Sequence, residues 1–212
     1  MVDFDGQRRE LIERLRARGI RDPRVLAALG RVPRHLFARP EDRLRAYEDE
    51  VLPLAPGASL SQPFVVAAML EALELEGPEK VLDVGSGSGY TTALLCELAA
   101  EVHAVEIDPA LAASSRRILR EFAWPRVSVE CADGWHGLPH LAPFDAILVS
   151  AACDRVPTAL LDQLGPGGRL VAPVGGRDGQ QLEVWRRQGD SAPSLVAVGL
   201  PVRFVPLRRE AP

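Results

Sequence analysis

A short run of β-branched and apolar residues that breaks into three alternate glycines constrains this chain more than any other feature. Val81, Leu82, Asp83 and Val84 read as a strand, and Gly85, Ser86, Gly87, Ser88, Gly89 and Tyr90 follow at once. The pattern predicts a compact turn between a strand and a helix. Glycine there accepts positive φ and lets a ligand approach the main chain closely. Amide groups at the helix start favour a carboxylate or another anion. The spacing is G-x-G-x-G. A dinucleotide site has G-x-G-x-x-G and aims its helix at a pyrophosphate; here Tyr90 stands where that pattern needs its third glycine. Asp83 lies two residues before the first glycine. A carboxylate there repels a pyrophosphate and suits the charged amino group of a methionine moiety. The spacing therefore favours S-adenosylmethionine over a nicotinamide dinucleotide as the ligand.

The rest of the chain supplies a scaffold for such a turn. Short apolar strands are expected at 102–105, 127–130, 145–149 and 170–174, with helices at 90–99, 109–122 and 157–164. Strands alternating with helices imply an α/β, Rossmann-like fold, with a mostly parallel twisted sheet and helices on both faces. Ahead of it, Leu11, Ile12 and Leu15 recur at helical spacing within residues 7–18, and Gly19 suits the end of that helix. Asp22 and Pro23 open a second helix. Residues 33–45 read as short helical pieces, 46–58 as turns, and 64–75 as an apolar helix with Pro63 near its first turn. Two late antiparallel strands are expected at 183–187 and 194–206, the second broken by Gly199, Leu200 and Pro201. The expected organisation is one domain over 1–212, with an N-terminal helical cap at 1–55 and a Rossmann-like core at 56–212.

Composition narrows the function. The formal net charge is −4 over 212 residues, which gives no reason to expect nucleic acid or an anionic membrane as a partner. Cys96, Cys131 and Cys153 are an odd, scattered set, as in a reducing compartment. They do not combine with His35, His103, His136 or His140 at metal-ligand spacing, so no metal is expected. No apolar run approaches the ~20 residues of a membrane span, and the first residues lack a secretory apolar region. A cytoplasmic protein is expected, and a monomer.

Acidic residues recur where the strands end. Val105, Glu106 and Ile107 close the second strand, ~20 residues after the first glycine, where an acid can take a ribose hydroxyl pair. Asp133 and Gly134 follow the third strand, where an adenine amino group would arrive. Methyl transfer from a sulfonium needs alignment of nucleophile, methyl and sulfur, and a base only where the nucleophile carries a proton. No histidine is placed convincingly at this edge; His136 and His140 read as surface-loop residues. A nucleophile that is already anionic fits, and a carboxylate has an unperturbed pKa of ~4.

Several segments are together more selective than the glycine turn. Gly57, Ala58, Ser59, Leu60, Ser61, Gln62, Pro63 and Phe64 form a G-x-S-L-S-x-P-F stretch. Ala142-Pro143-Phe144-Asp145-Ala146-Ile147, Pro166-Gly167-Gly168-Arg169-Leu170 and Phe204-Val205-Pro206-Leu207 follow in order, with Arg31-Val32-Pro33-Arg34 upstream. In these segments the chain resembles the protein-L-isoaspartate O-methyltransferase family over nearly its whole length. The resemblance implies a repair enzyme: methyl esterification of the α-carboxylate of L-isoaspartyl residues in damaged proteins and peptides, S-adenosyl-L-methionine becoming S-adenosyl-L-homocysteine. It implies Asp83 at the methionine amino group, Gly85, Ser86, Gly87, Ser88, Gly89 and Tyr90 around the methionine and ribose, Glu106 and Ile107 at the ribose, and Asp133 and Gly134 at the adenine. It places Ser61 at the reacting carboxylate, and Ser59, Leu60, Gln62, Pro63, Phe64, Val205, Pro206 and Leu207 around the peptide. By pattern alone, Ser61 reads as the cap of the helix starting at Pro63.

The chain departs from the family pattern at Ser59 (usually Thr), Leu60 (usually Ile), Cys153-Asp154 and Arg208. These changes bear on peptide preference more than on chemistry. Cys153 reads as a buried small residue. A carboxyl methyltransferase retargeted to aspartate in another peptide, and a non-catalytic cofactor-binding homologue, are the alternatives.

Overall fold

The computed structural model describes residues 2–176 and 178–209. Two helices open the chain, α1 (Phe4–Ala17) and α2 (Pro23–Arg31). The Asp3 carboxylate caps α1 through the Gly6 amide at 2.8 Å, and Asp22 caps α2 through the Arg24 amide at 2.7 Å. Gly19 ends the first helical segment at φ +104, a conformation open to glycine. Short 3-10 turns follow at Arg34–Leu36 and Pro40–Arg45.

The stretch expected to be only turns holds a small antiparallel hairpin, β1 (Leu52–Ala55) and β2 (Ala58–Leu60). Its Pro and Gly residues hid it: Pro56 and Gly57 are the hairpin's own turn, and the strands are too short for an alternating pattern to show. Helix α3 (Pro63–Ala72) comes next. Its N-cap is Gln62, not Ser61, and the Gln62 side chain makes no cap bond. A carboxylate remote in sequence supplies the cap instead. Asp49 Oδ1 accepts the Phe64 amide at 2.9 Å, and Asp49 Oδ2 accepts from Gln62 Nε2 at 3.0 Å and pairs with Arg18. The Ser61 hydroxyl is thereby left out of the cap.

Strands β3 (Lys80–Val84), β4 (Glu101–Glu106), β5 (Val127–Cys131), β6 (Phe144–Val149), β7 (Leu164–Gly176), β8 (Gly179–Arg186) and β9 (Ser194–Val202) form one sheet in the order β5-β4-β3-β6-β7-β8-β9. The first five in that order are parallel, and β7, β8 and β9 are joined antiparallel. Helices α4 (Tyr90–Cys96), α5 (Pro109–Glu121) and α6 (Thr158–Asp162) lie between strands.

The strand residues sort by alternation into two cores. Val81, Ala104, Ala146, Leu148 and Val171 face a cluster with Leu11, Leu29, Val66, Leu94 and Leu119 of α1 to α5. Leu82, Val84, Ile147, Val149 and Leu170 face a second cluster with Leu160 of α6. Central strands buried on both faces need such continuous apolar runs. The N-terminal helices share the first cluster with the sheet, so they pack on the same core that positions the glycine turn.

Strand β9 is not broken where Gly199, Leu200 and Pro201 were expected to interrupt it. Gln181 pairs with Pro201 and Glu183 with Val198, which leaves one extra residue on β9. The Gly-Leu-Pro signal therefore marks a bulge on the sheet's edge strand, where proline costs no ladder hydrogen bond.

Replacing Asp49 by Ala removes the α3 cap and both side-chain partners. We expect a loss of about 1–2 kcal/mol, read as a fall in Tm of about 2–8 °C for a chain of this size. A thermal melt unchanged from the parent would show that the cap carries no stability.

Candidate active site

The parallel strands end in register. Val84 lies beside Val105 and beside Val149, and Glu106 beside Cys131. The loops leaving them, Gly85 onward, Ile107 onward, Ala132 onward and Ser150 onward, therefore meet at one rim. The order of strands reverses about β3, and in open α/β sheets ligands bind in the crevice at that switch point.

At this rim Gly85, Gly87, Glu106, Ile107, Gly134, Ser59, Val205, Pro206 and Leu207 line one cleft, with Gly57, Ala58, Val105, Ser150, Ala151 and Arg208. The glycine turn follows from its backbone. Gly85, Gly87 and Gly89 have φ of +80, +53 and +86, values that side chains other than glycine adopt at a cost. A Cβ at Gly89 would also meet Ser115 Oγ at 2.4 Å.

Most amides of the turn are already partnered. Gly85 N donates to Val105 O at 2.8 Å, Ser86 N to the same oxygen at 3.3 Å, and Gly89 N to Ser86 O at 2.8 Å. Gly87 N donates to Glu106 Oε2 at 2.8 Å, while Glu106 Oε1 accepts Asp108 N at 2.9 Å. Glu106 thus braces the turn from the next strand and still faces the cleft. The Ser86 hydroxyl is buried behind the turn with no hydrogen-bond partner among the described residues.

Asp83 lies beneath the turn. It has no exposed surface. Thr92 Oγ1 donates to its Oδ2 at 2.6 Å, and Ser150 Oγ to its Oδ1 at 3.3 Å. Burial raises its pKa to about 6, against the pull of those two hydroxyls. Ser150, which lines the cleft, stands between Asp83 and the open space. Asp133 caps a 3-10 turn by accepting the Trp135 amide at 2.8 Å, and Gly134 forms the floor, where a Cβ would meet Val84 Cγ1 at 2.7 Å.

The C-terminal segment crosses this rim as a strap. Ala152 N donates to Val205 O at 2.8 Å, and Leu207 N to Ala152 O at 2.7 Å. The Gln180 amide group clamps Phe204 from both sides, accepting its N–H at 2.7 Å and donating to its carbonyl at 3.2 Å. Farther along, Arg208 reaches Asp108 at 3.6 Å and Glu106 at 3.9 Å, and the Arg209 guanidinium lies 3.3 Å from the centroid of the Trp135 ring. Beneath the strap about 50 Å³ is free, below the ~300 Å³ at which small-molecule pockets begin. Strap residues Val205, Pro206, Leu207 and Arg208 form part of the cleft wall.

A second groove, about 330 Å³, adjoins on the other side of the strap, lined by Ser59, Ser61, Gln62, Val51, Val65 and residues 201–204. Ser59 belongs to both spaces. The other site candidates lie behind these walls. Leu60 is 4% exposed and Tyr90 1% exposed, both in the core. Pro63 is buried in the first turn of α3, and Phe64 packs under the Arg18 guanidinium, 3.7 Å from ring centroid to carbon. Ser88 and Gly89 complete the turn behind Gly87, with Ser88 8% exposed. No histidine lines either space.

A family model for protein-L-isoaspartate(D-aspartate) O-methyltransferase matches residues 6–211. The chain belongs to this family. A protein-L-isoaspartate O-methyltransferase of Roseiflexus castenholzii is 48% identical over 206 residues, covering 97% of this chain and 94% of the relative. A second, from an Anaeromyxobacter species, is 50% identical over 199 residues, covering 93% and 94%. A solved protein-L-isoaspartate O-methyltransferase superposes with a TM-score of 0.82 at 26% identity; the match covers 94% of this chain and 65% of that one. A Plasmodium falciparum structure in complex with S-adenosyl-L-homocysteine, at 23% identity, has the same TM-score of 0.82 over 94% of this chain and 97% of that one. The fold is the α/β fold of S-adenosylmethionine-dependent methyltransferases.

Within this isoaspartyl methyltransferase framework, sequence reasoning missed the supports more than the walls. Ser150 and Ala151 follow the β6 strand end, a position where a rim residue was to be expected. Thr92 and Asp49 carry no local signal, because each acts on a residue folded against it. Cys153 is 4% exposed; its thiol donates to Pro173 O at 3.7 Å, and burial pushes its pKa to about 12.

Between about pH 4 and pH 6 native Asp83 holds a proton that the unfolded chain has released. Its raised pKa therefore lowers stability as pH rises through that window, by on the order of 2–3 kcal/mol at neutral pH. Asp83→Asn should raise the Tm of the ligand-free protein at pH 7.5, with the gain disappearing near pH 4. A variant that melts lower at pH 7.5 would contradict a raised Asp83 pKa.

Proposed function

We propose that the cleft beneath the strap seats S-adenosylmethionine and that the adjoining groove presents the isoaspartyl carboxylate to it past Ser59. The activity is S-adenosylmethionine-dependent methyl esterification of L-isoaspartyl residues in proteins and peptides, a protein-repair reaction. The observation that carries the reading is the sharing of Ser59 by the two spaces, with Ser61 one step farther along the acceptor groove.

The donor cleft has the right chemistry for the cofactor. Its floor at Gly134 admits no side chain, Ile107 gives an apolar wall, and Glu106 and Ser150 give polar ones. Asp83, through or beside Ser150, takes the methionine ammonium. That cation offsets the cost of ionising a buried carboxylate. Gly85, Gly87 and Gly89 bring the main chain close to the methionine and ribose, and Ser88 N, which has no partner among the described residues, remains for the methionine carboxylate. Glu106 with Ile107 meets the ribose, and Asp133 with Gly134 the adenine. When bound, the cofactor supplies an electrophilic methyl group and leaves as S-adenosylhomocysteine.

The acceptor carboxylate is ionised at neutral pH, so no residue has to remove a proton. The Ser61 hydroxyl donates a hydrogen bond to one carboxylate oxygen and leaves the other to face the methyl. Its freedom from the α3 cap leaves that proton available. Ser59, Gln62 and strap residues Val205, Pro206 and Leu207 border the peptide. Leu60, Pro63 and Phe64 act from behind, holding the segment in the core. The shared core of the helical cap and the sheet supports one catalytic domain.

The protein works as a monomer in the cytoplasm. The exposed edge strand β9 carries bulges and Pro201, features that resist edge pairing, and Cys96, Cys131 and Cys153 are free thiols. Among the described residues, no helix is long and apolar enough to cross a membrane.

Matched peptides differing only in Asp or isoAsp, incubated with methyl-labelled donor, test the substrate. Base-labile label should enter the isoAsp peptide alone; equal labelling of the pair would remove the repair reading. Ser61→Ala should lower kcat by about 10–100-fold, in line with the loss of one bond to a charged group, with S-adenosylhomocysteine affinity within about twofold of the parent. Asp83→Asn should do the reverse and weaken S-adenosylhomocysteine first, by isothermal titration. A collapse of cofactor binding in the Ser61 variant would contradict its placement at the acceptor.

A further inference from the structure

Arg34 is a charged side chain with no exposed surface; its hydrogen bonds go to main-chain carbonyls, and the Asp49 carboxylate acts on its charge without bonding to it. Burying a guanidinium without a counter-ion is costly unless its donors are satisfied. Here main-chain carbonyls take them. Nε donates to Ala46 O at 2.7 Å, and Nη2 donates to Ser61 O at 2.8 Å and lies 3.5 Å from Glu50 O. Nη1 has no hydrogen-bond partner. The guanidinium carbon sits 4.9 Å from the centroid of the Tyr90 ring, itself 1% exposed.

Those contacts join the acceptor groove to the helix that follows the donor turn. Ser61 belongs to the acceptor groove. Tyr90 is the first residue of α4, immediately after Gly89 of the donor turn. An apolar residue would fill the same volume, and replacing a buried charge by packed apolar atoms is often neutral for stability. What an apolar residue does not supply is a planar, forked donor that fixes a carbonyl at a set distance from a ring.

We propose that Arg34 is a positioning residue for methyl transfer: by holding the Ser61 carbonyl against the Tyr90 ring, it sets the separation between the acceptor hydroxyl and the donor turn. In-line displacement is sensitive to that separation, since a misplacement of about 1 Å far from the reacting atoms is enough to cost about 100-fold. The inference rests on the role assigned to Ser61 above.

The test is a double-mutant cycle between position 34 and Ser61, in the full chain, with isoaspartyl peptide as acceptor. Arg34→Lys keeps the charge and loses the fork; Arg34→Met loses both and keeps the bulk, and carries the cycle if the lysine variant does not fold. Each is measured for Tm, S-adenosylhomocysteine affinity, kcat and KM. The expected result is a kcat lowered about 10–100-fold, with cofactor affinity within about twofold and the change confined mainly to kcat rather than KM. In the Ser61→Ala background the position-34 substitution should cost no more than about twofold further, because residues acting through one another are not additive. Effects that multiply in the double variant, or a kcat that tracks Tm alone, overturn the positioning role and leave Ser61 intact. A Ser61→Ala variant with parental kcat overturns the Ser61 reading itself, and this inference with it.

Discussion

The active site depends on a carboxylate placed where solvent does not reach. Asp83 sits under the glycine turn, tied to Thr92 of the following helix and to Ser150 at the end of the neighbouring strand. Those two bonds lock the strand, the turn and the β6 loop into one piece. The price is a carboxyl group whose charged form is disfavoured by burial. In the function proposed above, the ammonium of the cofactor offsets that cost, so the ligand-free protein carries the local instability. Glu106 braces the same turn from the other side, through Gly87 and Asp108.

Closure is the work of the strap. Its root is a pair of main-chain bonds to Ala152 and the clamp of Gln180 on Phe204. Its far end is held differently, by ion pairs of Arg208 longer than 3.5 Å and by Arg209 stacked on Trp135. At such lengths, and with Arg208 itself partly exposed, these ion pairs contribute little and weaken with salt. The root is therefore the firm part and the far end the yielding one. The strap borders both the rim cleft and the adjoining groove, so one segment shapes both spaces.

Particular residues show what local pattern can and cannot reveal. The glycine turn, the acids at the strand ends and the alternation of the central strands were readable because each depends on neighbours close in sequence. The hairpin at 52–60 and the cap of α3 were not. Ser61 stands where a capping serine belongs, yet Asp49, twelve residues upstream, takes the Phe64 amide and leaves the hydroxyl to the groove. Gly199, Leu200 and Pro201 gave a true signal of irregularity, but only pairing with β8 decided between a break and a bulge.

By itself, the order of residues determined the α/β class, the G-x-G-x-G turn and the acids at the strand ends, because dihedral preference and hydrophobic periodicity act over a few residues. Only the tertiary structure decided which side chains of these segments line the rim cleft. It placed Leu60, Phe64 and Tyr90 in or against the core, set Asp83 beneath the rim, and brought Arg34 to the Ser61 carbonyl across 27 positions of chain. The physical reason is that a buried polar group takes its partner from whatever the fold brings near, and sequence distance has no part in that choice.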